Sequence, residues 1–91
     1  MTAELPDHVR AYHRTPLFDE TTVPDGLRRD HRTKPGVWGV INVVSGELLY
    51  RVAATGTETT LSPGAPGIIE PELLHSVTPL GPVSFYVEFW R

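Results

Sequence analysis

The strongest pattern in the chain lies at residues 37–44, VWGVINVV, which are β-branched, aromatic or glycine at every position except Asn42. A run that is apolar at both parities predicts a strand buried on both faces. Ser45 and Gly46 form a two-residue hairpin signal, and residues 47–53 read as the returning partner. Gly56 marks the next turn, and residues 57–61, TETTL, read as a polar strand at a sheet edge. Residues 61–77, LSPGAPGIIEPELLHSV, read as turn, strand, turn, strand. Ser62, Pro63, Gly64, Ala65 and Pro66 break regular structure, Gly67, Ile68 and Ile69 make a short apolar strand, and Glu70, Pro71 and Glu72 make an acidic turn. Residues 73–77 then predict a strand carrying His75. Residues 83–90 alternate, with Val83, Phe85, Val87 and Phe89 on one face and Tyr86, Glu88 and Trp90 on the other.

The first third is less regular. Residues 1–11 carry no clear period, and Pro6 to Tyr12 read as a helical turn or as no element. Pro16 and Pro24 stop helices, while Leu17 and Phe18 read as anchors into the core. Pro24-Asp25-Gly26 and Lys34-Pro35-Gly36 are turns by composition. Between them, residues 27–31 read as a short strand ending in the charged patch Arg28, Arg29, Asp30, His31 and Arg32. About seven or eight short strands with almost no helix predict an all-β sandwich or barrel. The pattern alone does not separate an immunoglobulin-like sandwich from a jelly roll.

Ninety-one residues set the scale as a single domain, 1–91, with one core and a small cavity at most. The absence of cysteine excludes disulfides, thiolate zinc sites and cysteine nucleophiles. A net charge of -3, without a basic cluster of the kind that tracks phosphates, argues against nucleic acid as a partner. No apolar run has membrane-spanning length and no signal-peptide pattern opens the chain, so the expected setting is cytoplasmic, without membrane contact. A short chain with a strand apolar on both faces and a polar edge is expected to pair as a homodimer.

The chemistry-bearing residues are few. His75 follows a turn with two carboxylates, Glu70 and Glu72, which is a small hard-to-borderline metal-ligand set. Its spacing resembles the second motif of small cupins: Gly64, five residues, Glu70-Pro71-Glu72, two leucines, then His75, with Glu70 and Glu72 standing where that motif has proline and glycine. GVWGVINVVSGEL resembles the end of the first cupin motif. More narrowly, TPLFDETTVPDGL, DHRTKPGVWGVINVVSGEL, IIEPELLHSV and VSFYVEFW, in this order, resemble the TehB/YeaR-like cupins over most of the chain from Thr15 onward. The specific parts are His31 followed by Thr33, Gly36 and Trp38, and Glu70-Pro71 followed by His75.

The resemblance implies a cupin-type double-stranded β-helix, that is, a closed jelly-roll barrel, with the second-motif histidine as a metal ligand inside it. Ordinary metal-binding cupins carry two histidines and a glutamate in the first motif; here only His31 stands in that neighbourhood, and no glutamate lies between His31 and Gly46. The implied set is therefore His31 and His75 with Glu70 as the first-choice carboxylate and Glu72 as the second, holding a divalent zinc or iron with positions open to water or a small oxyanion. The plainer reading of the same residues is a hydrogen-bonded or surface histidine and turn-solvating glutamates. His8 and His13 receive no role; Arg29, Arg32 and Lys34 read as a solvated face, or as an anion attractor beside a pocket mouth; Trp38, Tyr86 and Trp90 read as packing residues.

Two functions follow as expectations. The first is a binding module for a divalent metal and a small-molecule or oxyanion ligand, in tellurite, oxyanion or stress response by resemblance. The alternative is a metal-dependent small-molecule enzyme of dioxygenase or isomerase type. A metal-free structural domain is the third reading. Methyl transfer, which belongs to a separate segment in the tellurite-resistance member of the family, is not implied for these residues.

Overall fold

The structure, a computed structural model, describes residues 5–29 and 31–91. The elements are β1 (Ala11–Arg14), β2 (Phe18–Asp19), α1 (Asp25–Arg28), β3 (Trp38–Ser45), β4 (Leu48–Val52), β5 (Thr57–Leu61), β6 (Gly67–Ile69), β7 (His75–Pro79) and β8 (Ser84–Trp90). They form two antiparallel sheets. One has the order β1-β8-β3-β6, with β2 also paired to β8; the other has the order β5-β4-β7. The period-two residues of both sheets meet in one core, where Phe85, Ile41, Leu48 and Leu61 are the largest fully buried side chains. Burying each of these contributes about 1.5–3 kcal/mol relative to exposure.

The all-β expectation holds, but the closed cupin-type jelly-roll barrel does not form. Each sheet is open: among the described residues, no strand of one pairs with a strand of the other. The reason is visible between β5 and β6. The chain turns there through a Ser62↔Ala65 bridge with Pro63 in its loop; Pro66, directly after it, has no N–H to extend a ladder, and β6 is only three residues long. The cupin and barrel descriptors are therefore corrected to an all-β domain of two open sheets.

Other differences have local causes. Residues 27–29 do not make a strand, and His31 joins only an isolated bridge. Pro24 enters α1 with extended backbone, Asp25 sits in its first turn, and the Leu27 N–H donates to Pro24 O at 3.0 Å, so this stretch coils and Leu27 packs against the core. Of the charged patch, Asp30 lies outside the described residues. The first third, without a hydrophobic period, still supplies β1, whose residues are all exposed and which is held by its ladder to β8. The Arg14–Glu88 ion pair at 3.2 Å adds little on such a surface. Behind β2, the Asp19 carboxylate accepts from the Thr21 hydroxyl and from the Thr21 and Thr22 N–H groups, which holds its carboxyl below the ordinary value. In β3 the inward residues Ile41 and Val43 are buried as expected, yet on the other face only the middle is covered, and Val44 is 54% exposed.

The β3–β4 hairpin is locked against the turn before β8. Gly46 has φ 78°, and a Cβ there would overlap the Pro82 carbonyl and lie 2.9 Å from Val83 Cα. Gly56 has a similar φ of 67° with nothing within 4 Å of the same position. Gly56→Ala is therefore expected to cost about 1 kcal/mol of backbone strain, and Gly46→Ala about 3 kcal/mol or more, because overlap adds to strain. Urea midpoints of the two variants check this, and equal losses would contradict the packing argument.

Candidate functional site

His31 and His75 do come together. Their backbones exchange two hydrogen bonds, His31 N–H to His75 O and His75 N–H to His31 O, each 2.7 Å, adding one rung beyond the start of β7. The rings meet edge to face with centroids 5.6 Å apart. His75 is 2% exposed, and His31 lies at the surface. The turn after His31 closes on itself. The buried Thr33 hydroxyl donates to Val37 O at 2.7 Å, the Val37 N–H donates to Lys34 O at 3.1 Å, and Gly36 takes φ 77°. Thr33 and Gly36 thus hold the segment that delivers His31 to β7 and Trp38 to β3. The histidines border a core cavity of about 20 Å³ together with Leu27, Thr33, Ile41 and Phe89, space for roughly one water molecule.

The expected carboxylates are elsewhere. The Leu73 N–H donates to Glu70 O at 3.5 Å, closing a turn with Pro71 at its second position and Glu72 at its third, where φ is 63°. Glu70 and Glu72 are both exposed, and Glu70 lines a different opening from the histidines. The His75 Nδ1 lies 3.0 Å from Leu73 O; a carbonyl only accepts, so this nitrogen carries the proton and the imidazole lone pair is on Nε2. Among the described residues, no group of three or more His, Cys, Asp and Glu is placed to hold a metal ion. The metal-binding descriptor is corrected accordingly: the zinc or iron set implied by the resemblance is not assembled from His31, Glu70, Glu72 and His75 as they stand.

The larger opening lies where the sheets part, between β5 and β6. It is a cleft of about 280 Å³. Val52, Leu61, Pro66 and Leu73 give it apolar surface, and Tyr50, Thr55, Thr57, Thr59 and Glu70 give it polar groups. Alternation places Tyr50 on the inward face of β4 with Leu48 and Val52, and Thr57 and Thr59 on the same face of β5 as buried Leu61. The Tyr50 hydroxyl donates to Ile68 O at 3.1 Å, the one side-chain bond recorded from β4 to β6 among the described residues. Its ring meets that of His75 at 6.0 Å, so Tyr50 stands between the cleft and the histidine pair. Burial, and secondly the Glu70 carboxylate, push the Tyr50 phenol up to about 12. Sequence reasoning missed this group of residues. The usable signal was the inward parity of Tyr50 and of two threonines on a strand already read as an edge.

The fold and cleft define a small two-sheet β domain with a ligand-sized opening at the seam between its sheets. A family model described as the TehB-like domain matches residues 13–87, and the chain belongs to this family. Among solved structures, a crystal structure of a protein from E. coli is similar with a TM-score of 0.91 and 21% identity, covering 99% of this chain and 97% of that one. The crystal structure of TehB from Haemophilus influenzae is similar with a TM-score of 0.83 and 23% identity, covering 92% of this chain and 32% of that chain. The chain therefore spans about a third of the H. influenzae protein. At these identities the likeness shows the fold alone. No curated protein matches the chain.

Two outcomes are expected. An unfolded tyrosine ionises near pH 10 and folded Tyr50 at about 12. Its contribution to stability is thus complete below about pH 10 and is lost as pH rises through about 12, because only the unfolded chain gives up the proton in that window. Alkaline titration of the phenolate absorbance should show a late component that moves down, without reaching the ordinary value, in Glu70→Gln. A late component unmoved by Glu70→Gln would remove the carboxylate's part. Separately, Glu72 occupies a left-handed position where the small-cupin motif has glycine, so Glu72→Gly should stabilise the fold by about 0.5–1 kcal/mol in urea denaturation.

Proposed function

We propose that the domain is a small-molecule binding module whose site is the cleft between β5 and β6. The observation that supports this is the cleft itself, about 280 Å³ in volume, with apolar surface from Val52, Leu61 and Leu73 beside hydroxyls from Tyr50, Thr57 and Thr59. Concave surface of this mixed character, near the lower end of ligand-pocket volumes, suits a compound of few heavy atoms. Tyr50 keeps its proton across the ordinary pH range, which favours a positioning and hydrogen-bonding role over one as a base. The tellurite or oxyanion role implied by family resemblance is a poor chemical match to this lining, which contains a carboxylate and, among the described residues, no lysine, arginine or histidine.

A fragment screen followed by amide chemical shifts of isotope-labelled protein tests the site. Ligands should perturb Tyr50, Thr57, Thr59 and Glu70. Thr59→Trp, at an exposed position on the cleft wall, should abolish those perturbations while leaving the melting temperature within about 2 °C of the parent. Hits that map to the outer face of β3 and β8, and that survive Thr59→Trp, would overturn the reading.

A further inference from the structure

The polar groups of the cleft are one carboxylate and several hydroxyls, so its one charged lining group is an acceptor. Glu70 contributes a carboxylate. The Tyr50 hydroxyl has committed its proton to Ile68 O and keeps its remaining lone-pair capacity. The Thr55 hydroxyl donates to the Thr57 hydroxyl at 2.7 Å. Arg51, the cation nearest in sequence to Tyr50, alternates onto the exposed face of β4, and among the described residues no cationic side chain lines the cleft. We infer that the cleft selects a small cationic ligand, an aliphatic amine whose ammonium faces Glu70 and Tyr50 and whose stem lies on Val52, Leu61 and Leu73.

This rests on the cleft being the binding site and adds the chemistry of what enters it. An ammonium supplies three donors and a positive charge, the complement of the Glu70 carboxylate. Burial is the larger cause of the raised Tyr50 pKa, and the Glu70 charge the second; the part of the field that comes from Glu70 disfavours a phenolate and favours an ammonium. A carboxylate or oxyanion entering here would meet Glu70 without a counter-charge. The small volume limits the ligand to a short stem.

The test is a chemical-shift titration at neutral pH with butylammonium, butanol and butyrate, matched in stem and differing in head group, on the parent protein and on Glu70→Gln. Butylammonium should perturb Tyr50, Thr57 and Thr59 with an affinity about fivefold or more above butanol, the modest factor suited to a partly solvated carboxylate, and butyrate should bind least. Glu70→Gln should bring butylammonium down to the level of butanol. Butyrate binding as well as butylammonium, or an ammonium preference that survives Glu70→Gln, would overturn the charge assignment and leave the cleft reading standing. Failure of all three compounds to perturb cleft residues would overturn both.

Discussion

Pro63 and Pro66 bracket the turn that carries the chain from β5 in one sheet to β6 in the other, and neither can donate a backbone hydrogen bond. Were this turn flanked by donors, the two edges could approach and zip along their length. Instead the sheets share side chains in the core and diverge at this seam, with a single recorded link from the Tyr50 hydroxyl to the Ile68 carbonyl. The open architecture, the position of the cleft and the burial of Tyr50 all follow. Gly67 completes the arrangement. A Cβ there would lie 2.8 Å from Leu61 Cδ1 and 3.3 Å from Tyr50 Cδ2, so glycine lets β6 come close enough for that link.

The strands with a strong period were legible. The run over residues 37–44, its hairpin partner, the TETTL edge and the alternation up to Trp90 all appear as strands at nearly the expected positions. The failures depended on partners distant in sequence, except at α1, where the cause is local. β1 has no hydrophobic signal because β8 holds it through the backbone. α1 lost its strand reading to local turn chemistry after Pro24. The closed barrel was inferred from resemblance, and periodicity does not report whether two edges meet.

The site was half legible. The spacing brought His31 and His75 to attention, and the fold joins them through reciprocal backbone bonds. It does not bring the glutamates to them, because the Pro71 turn leaves Glu70 on the cleft side and Glu72 at the surface. Thr33 and Gly36, among the specific parts of the family resemblance, serve a structural end by closing the turn between His31 and β3. The cleft residues gave no motif at all. A tyrosine and two threonines in strands are ordinary residues, and they acquire meaning only when the seam places them opposite Glu70.

β4 is hydrogen-bonded on both sides, to β5 and to β7, whereas β5 is held on one side only. A strand with a single ladder has a lower free energy of local opening than its doubly held neighbour. The strand that carries Thr57 and Thr59 is therefore more compliant than β4, which carries their neighbour Tyr50. Amide protons of β5 are accordingly expected to exchange ahead of those of β4, so the cleft has one elastic edge as well as a volume at rest.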